Sequence, residues 1–129
     1  MTITVIETNQ APKAIGPYSQ GVISMGFLYT SGQIPLIPAT GEMVKGGFRD
    51  QVEQVFKNLE AILVKGGCGF KDVIKATVFL TSMDNFPVLN EVYTTYLGQQ
   101  KPARSTLAVA GLPKGAQVEI ELIARLSAK

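Results

Sequence analysis

Pro102-Ala103-Arg104-Ser105-Thr106-Leu107 is a strand-like stretch that carries one of the three arginines of the chain. The segment after it contains Gly111-Leu112-Pro113-Lys114-Gly115, a composition typical of a turn between two strands. Glu119 follows that turn in a second strand-like run. We therefore predict a hairpin in which the Arg104 guanidinium meets the Glu119 carboxylate, and this pair is our candidate active site.

Outward from this hairpin, apolar periodicity predicts two helices. Apolar residues recur at helical spacing over 48–63, and this helix should end at Gly66 or Gly67. The second helix should start with a cap from Asp84 or Asn85, carry Pro87 in its first turn, and end at Gly98.

Alternating or β-rich runs predict the strands, which are 2–6, 19–25, 27–33, 73–80, 104–110 and 117–126. The second and third strands should form a hairpin at Gly26. The fourth strand should place alternate residues on one face, namely Ile74, Ala76, Val78 and Leu80.

This order predicts one α+β domain over residues 1–129, built as a single mixed β-sheet with two helices on one face. The residues expected to face the helices are Leu107, Val109, Val118, Ile120 and Leu122. Those expected to face away are Arg104, Thr106, Glu119 and Glu121. The uncovered face also carries apolar side chains such as Phe79 and Ile123, so we expect a homo-oligomer that buries it.

Counts of single residue types restrict the chemistry. The chain has no histidine and one cysteine, Cys68, which excludes histidine-based triads and any disulfide within the chain. We expect no metal and no cofactor. The formal net charge of +2 is too small to indicate a nucleic-acid partner. No apolar run could span a bilayer and no signal-peptide pattern opens the sequence, so we expect a cytoplasmic protein without a membrane partner.

The Arg104 and Glu119 pair admits two interpretations. An arginine can hold a carboxylate or phosphate through two parallel N–H bonds, while a nearby glutamate orients or deprotonates water. The alternative is a salt bridge that fixes the hairpin, and spacing alone favours it.

Three further residues could belong to a site or to the fold. Tyr18 follows the rigid Gly16-Pro17 turn and is either a packing aromatic or a site residue. Gly32 ends a strand, where its N–H could bind an anionic oxygen or where it could simply mark a bulge. Asn90 lies beside the apolar stripe of the second helix and is most simply a solvated residue.

Several motifs together resemble the RidA/YjgF family of enamine/imine deaminases, also called L-PSP endoribonuclease-like proteins. The resemblance extends over nearly the full chain and keeps the family's order. The motifs are 15–21 (Ile-Gly-Pro-Tyr-Ser-Gln-Gly), 30–35 (Thr-Ser-Gly-Gln-Ile-Pro), 40–42 (Thr-Gly-Glu), 75–79 (Lys-Ala-Thr-Val-Phe), 102–107 (Pro-Ala-Arg-Ser-Thr-Leu), 111–113 (Gly-Leu-Pro) and 118–121 (Val-Glu-Ile-Glu).

The resemblance implies a chorismate-mutase-like α+β fold, a homotrimer with sites between subunits, and hydrolysis of 2-iminopropanoate and 2-iminobutanoate to 2-oxo acids and ammonia. Arg104 and the Gly32 N–H would hold the substrate carboxylate, and Glu119 would position water and move protons. Tyr18, Ser31 and Asn90 would complete the pocket.

The chain departs from this pattern at Thr106, where many members have a cysteine. A thiol is then not needed here, so only the Thr106 backbone carbonyl could help to hold water, and thiol-based regulation is unsupported. Two other classes stay open: a ligand-sensing or partner-binding trimer without turnover, and an endoribonuclease or translation inhibitor, an activity also ascribed to relatives.

Overall fold

The computed structural model describes residues 2–127, which form one six-stranded β-sheet and two α-helices. Met1, Ala128 and Lys129, which the sequence assigns to the same domain, lie outside the described residues. The strands are β1 (Thr4–Ile6), β2 (Gly21–Ser24), β3 (Phe27–Thr30), β4 (Val73–Leu80), β5 (Ala103–Ala108) and β6 (Val118–Arg125). The helices are α1 (Phe48–Lys65) and α2 (Phe86–Leu97).

The strand order is β1-β2-β3-β6-β4-β5. The pair β4 and β5 is parallel and the other neighbouring pairs are antiparallel, so the sheet is mixed, as predicted. The β2–β3 hairpin is also confirmed. Met25 and Gly26 connect it with φ angles of 55° and 83°, the left-handed conformation that a two-residue hairpin turn requires.

The predicted hairpin between β5 and β6 is wrong. Strand β4 lies between them, because the chain crosses over through α2 from β4 to a parallel neighbour and β6 then returns on the other side of β4. The segment between β5 and β6, which includes a short 3₁₀ turn at Pro113–Gly115, connects two strands that are separated by β4 and are not neighbours in the sheet. Arg104 and Glu119 are therefore not cross-strand partners within one chain.

Both helices cover one face of the sheet and share one core with it. The fully or almost fully buried residues of α1 include Val55, Phe56, Leu59 and Ile62. They join the inward side chains of β6, which are Val118, Ile120, Leu122 and Ala124. The outward orientation expected for Glu119 and Glu121 follows from the same alternation and is confirmed.

The side chains of β5 lie on the opposite faces of the sheet from those predicted. Its parallel register pairs Arg104 with Ala76 and Thr106 with Val78, and both partners are buried in the core under the helices. Arg104 and Thr106 therefore lie on the helix side. Leu107 pairs with Phe79 on the open face and is 41% exposed. Val109 lies beyond the end of β5, where its N–H donates to Leu80 O at 2.8 Å.

A bulge in β4 explains another wrong assignment. The register against β6 shifts between Val73 and Lys75, so Val73 is buried and Ile74 is 41% exposed. Ile74 therefore does not share the core face of Ala76, Val78 and Leu80.

The helix ends are close to their predicted positions. Gly66 and Gly67 follow α1, and Gly98 follows α2. At the start of α2, Asn85 occupies the N-cap position and Pro87 lies in the first turn, as predicted, but the Asn85 side chain makes no capping hydrogen bond. A 3₁₀ turn at Met83–Asn85 precedes the helix, and there Ser82 Oγ accepts a bond from the Asp84 N–H at 3.1 Å. Over residues 2–127 neither helix combines the length and apolar composition needed to span a membrane.

The loop between β3 and α1 is held down by one buried amide. Asn58 of α1 is 0% exposed, and its Nδ2 donates to Leu36 O at 2.9 Å. Its Oδ1 accepts from Gln54 Nε2 at 2.9 Å. Within the loop, Leu36 and Met43 form an isolated antiparallel bridge. Asn58 thus connects the core to a loop that also lines the cavity described below.

We expect Asn58→Ala to lower the free energy of unfolding by about 1–3 kcal/mol, because the half-buried Leu36 carbonyl would lose its donor and a buried amide would be removed from the core. Urea denaturation at a fixed protein concentration measures this. The matched control is Gln54→Ala, which removes only the half-buried partner of Asn58 and should cost less. Equal stability of Asn58→Ala and the parent chain would contradict the anchoring function.

Candidate functional site

Glu119 lies directly against Gly32. The two neighbours of Gly32 are fixed, because Ser31 N donates to Gln20 O at 2.9 Å and Gln33 N donates to Ile120 O at 2.9 Å. A Cβ atom added at Gly32 would lie 2.2 Å from Glu119 Oε2, far inside van der Waals contact. This close approach, rather than a positive φ, means that any side chain at position 32 would have to displace the Glu119 carboxylate.

The Glu119 carboxyl is harder to ionise than an ordinary glutamic acid. Desolvation by burial raises its pKa, and the negative charge of Glu121 on the same face of β6 raises the pKa further. A carboxylate with a raised pKa is a stronger base once it is ionised, and it exchanges protons closer to neutral pH. The site thus contains a group suited to moving protons to and from a bound molecule.

A cavity of about 500 Å³ opens in front of this carboxylate. Its lining comes from the loop before β2, the segment after β3 and the outward side chains of β6. The residues that line it include Lys13, Tyr18, Ser31, Gly32, Ile34, Leu36, Pro113, Glu119 and Glu121. The structure therefore brings together four of the predicted site residues: Tyr18, Ser31, Gly32 and Glu119.

Local turns fix Tyr18 and Ser31 at this cavity. Tyr18 N donates to Gly16 O at 2.9 Å, and Gly16 has a φ of 127° that favours glycine. The Tyr18 hydroxyl accepts from Ile15 N at 3.3 Å while its side chain stays 52% exposed. Ser31 Oγ donates to Ser19 O. The Tyr18 ring is thus supported from one side only and is not a core residue.

Arg104 has different partners. Its Nη1 donates to Asn90 Oδ1 at 2.8 Å, and its guanidinium lies 4.7 Å from the Tyr93 ring centroid and 5.6 Å from that of Phe86. Asn90 is consequently not a solvated helix residue but a hydrogen-bond partner of Arg104. Among residues 2–127 the ion pairs are Arg49–Glu91 and Lys71–Asp72, so the alternative of an Arg104–Glu119 salt bridge within the chain is also wrong.

The aromatic neighbours of Arg104, Phe86 and Tyr93, were not among the predicted site residues. Their spacing contained a signal, because residues 86, 90 and 93 stand at i, i+4 and i+7 and share one helix face. That face contacts the start of β5. Thr106, two residues after Arg104, has a buried Oγ1 that finds no hydrogen-bond partner in the described part of the chain.

The chain thus carries two groups of polar side chains on opposite faces of one sheet. One is centred on Glu119 and the other on Arg104. The six-stranded mixed sheet and its two helices make this a chorismate-mutase-like α+β protein.

The chain belongs to the RidA/YjgF family. The family model described as Endoribonuclease L-PSP matches residues 8–126. A RutC family protein of Pyrococcus horikoshii is 52% identical, over 93% of this chain and 95% of its own. A mouse protein named 2-iminobutanoate/2-iminopropanoate deaminase is 48% identical, over 93% of this chain and 89% of its own.

A solved structure of the Rid-family protein YyfA from Yersinia pestis superposes with a TM-score of 0.94. It is 46% identical and covers 97% of this chain and 100% of its own. Fold and family are therefore shown by these comparisons, whereas the names differ: the relatives include a deaminase and a RutC family protein, and the family model is described as an endoribonuclease.

We expect Glu121→Gln to lower the pKa of Glu119. Without the negative charge of Glu121 nearby, the ionisation of Glu119 costs less free energy, so Glu119 should deprotonate at a lower pH in the variant. Carboxyl carbon NMR titration follows Glu119 directly. The control is Glu60→Gln on the exposed side of α1, which should leave the Glu119 titration in place. An unchanged Glu119 pKa in Glu121→Gln would leave burial as the only cause.

Proposed function

We propose that this chain hydrolyses 2-imino acids, of the 2-iminobutanoate and 2-iminopropanoate type, to 2-oxo acids and ammonia. The observation that carries the proposal is the Glu119 carboxylate, which has a raised pKa and stands against Gly32 at the wall of a cavity of about 500 Å³. The name of the mouse relative, a 2-iminobutanoate/2-iminopropanoate deaminase, supports the same substrate class.

Arg104 and Gly32 would bind the substrate carboxylate. Asn90 takes a bond from Nη1 of Arg104, which leaves other guanidinium N–H groups for two parallel bonds to a carboxylate. The backbone N–H of Gly32 adds a third donor, because a glycine allows an anionic oxygen to approach the main chain closely. Ser31 and Tyr18 would close the pocket around the bound imine.

Glu119 would orient the attacking water. The protonated imine carbon is already electrophilic, so water adds to it when one proton of that water passes to Glu119. Glu119 then returns this proton to the nitrogen. As the C=O bond forms and the C–N bond breaks, the second water proton passes to Glu119 and from it to the departing ammonia, so one water and one iminium yield one 2-oxo acid and one ammonium. No histidine, metal or cofactor takes part in this sequence of steps.

The two groups of side chains would meet between subunits. Arg104 lies on the helix side of the edge strand β5, and Glu119 lies on the open face of the sheet. A second copy that covers the open face could bring its Arg104 to the Glu119 of the first. The open face carries apolar side chains suited to burial, including Tyr29 (42% exposed), Phe79, Leu107 and Ile123. We propose a homotrimer with three such sites.

The location and the remaining partners follow from the substrate. Imino acids of this type form when pyridoxal-phosphate dehydratases act on serine and threonine, so we propose that the protein works in the cytoplasm beside such enzymes. The formal net charge of +2 gives no large basic surface for nucleic acid. A small molecule is therefore the preferred ligand.

We expect the pure protein to speed the release of 2-oxobutanoate when it is added to a threonine dehydratase acting on threonine. Glu119→Gln should lower this acceleration by roughly 10²-fold or more, because water loses its base. The same variant should still bind 2-oxobutanoate, since it keeps the shape of the site and loses only a group used in the transition state.

Arg104→Ala is the companion variant and should weaken 2-oxobutanoate binding by roughly 10- to 100-fold, the effect of losing a charge-assisted hydrogen-bond pair. Calorimetry measures the binding and absorbance of the 2-oxo acid measures the rate. A parent protein without any acceleration would refute deamination. Cleavage of RNA that disappears in Glu119→Gln would favour the endoribonuclease alternative instead.

Mixing two inactive variants tests whether the site lies between subunits. When Arg104→Ala and Glu119→Ala chains are co-refolded in equal amounts, about a quarter of the sites in a ring should pair an intact Arg104 with an intact Glu119. We therefore expect about a quarter of the parent activity from the mixture, measured in the coupled assay. Refolding each variant alone is the control, and a mixture as inactive as its components would refute the shared site.

A further inference from the structure

The Arg104 guanidinium is held by three side chains of α2. The Tyr93 ring centroid lies 4.7 Å from the guanidinium carbon, within the distance over which a cation is attracted to an aromatic face. The Phe86 ring lies at 5.6 Å and is the more weakly placed of the two. Asn90 accepts one N–H. These contacts leave part of the polar edge of the guanidinium for a ligand.

The Tyr93 ring is itself fixed in place. Tyr93 is 8% exposed and belongs to the core, and its ring meets Phe56 of α1 edge-on at 6.0 Å between centroids. The guanidinium thus packs against a ring whose orientation is fixed by the core. Arginine side chains have high rotamer entropy, and a rigid aromatic surface removes much of that freedom before a ligand arrives.

We propose that Tyr93 is a positioning residue for Arg104, and that the aromatic face of its ring, rather than its hydroxyl, holds the guanidinium ready for a carboxylate. This inference deepens the proposed function, since it concerns the binding of the carboxylate of the same substrate. Tyr93 would not touch the substrate. Its effect would appear only through the charge-assisted bonds that Arg104 makes.

The hydroxyl of Tyr93 gives the inference its sharpest control. This oxygen is buried and has no hydrogen-bond partner within residues 2–127, so its removal breaks no hydrogen bond to Arg104. Tyr93→Phe should therefore keep the positioning function. Tyr93→Leu, which keeps an apolar side chain but removes the aromatic face, should lose it.

The test compares two ligands that differ in charge, 2-oxobutanoate and its uncharged amide, titrated against the full-length protein by NMR. Tyr93→Leu should weaken 2-oxobutanoate binding by roughly 3- to 30-fold, the range expected for one cation–π contact. Amide binding should change by less than about twofold, because it does not depend on the guanidinium charge. Tyr93→Phe should match the parent for both ligands.

Tyr96→Leu is the matched control for the loss of an aromatic ring from α2. Tyr96 stacks on Phe56 at 4.5 Å between ring centroids, whereas Phe86 and Tyr93 are the rings that lie against the Arg104 guanidinium. Its loss should lower the unfolding temperature without selective loss of carboxylate binding. A drop in 2-oxobutanoate affinity as large as that of Tyr93→Leu would show that α2 packing, not the ring under Arg104, is responsible.

Phenylalanines with increasing numbers of fluorines at position 93 keep the test decisive if Tyr93→Leu does not fold. Fluorine withdraws charge from the aromatic face at nearly constant shape, so 2-oxobutanoate binding should weaken stepwise while amide binding stays constant. Affinity that does not vary along this series, or loss of binding in Tyr93→Phe equal to that in Tyr93→Leu, would overturn the inference. So would a parent protein that does not bind 2-oxobutanoate.

This outcome can be separated from that of the proposed function. A parent protein that binds 2-oxobutanoate through a Tyr93-dependent Arg104, yet fails to accelerate imine hydrolysis, refutes deamination and retains the positioning function. A parent protein that accelerates hydrolysis while the fluorinated series has constant affinity refutes positioning alone.

Discussion

The alternation of side chains along β6 is the constraint on which the rest of the molecule depends. Val118, Ile120, Leu122 and Ala124 turn into the core beneath α1 and α2, and they leave Glu119 and Glu121 no direction except the open face. A shift of one residue in the pairing of β6 would bury the two carboxylates and expose the four apolar side chains. The register of β6 is therefore strongly specified. Packing in the core therefore also aims the acidic side chain at the cavity.

Arg104 is placed by a different mechanism. It stands on β5 at the edge of the sheet, where its orientation follows from the parallel register with β4 and from the side chains of α2. The acid is thus oriented by a central strand and the cation by a crossover helix. One chain separates them by the thickness of its own sheet, which is why a second copy enters the proposed site.

Much of this could be predicted from the sequence, because several signals are local. The period of residues 48–63 and the glycines after them define α1, and the period of two along β6 correctly separates its buried and outward residues. The β5–β6 hairpin and the orientation of Arg104 could not be predicted in the same way. The turn composition of 111–115 indicates that the chain reverses its direction, but it does not indicate that β4 lies between β5 and β6. The bulge beside Ile74 likewise depends on the register with β6.

The contact between Gly32 and Glu119 has a consequence for how this scaffold can diverge. Any larger residue at position 32 would have to push the carboxylate aside, although the acid itself would remain in the sequence. Under the proposed function, such a descendant would keep Arg104, Asn90 and the aromatic rings for binding an anion but would lose the position of Glu119 that orients the attacking water. In such a lineage the substitution that abolishes the reaction would be at Gly32, and a comparison of acidic and basic residues alone would not reveal it.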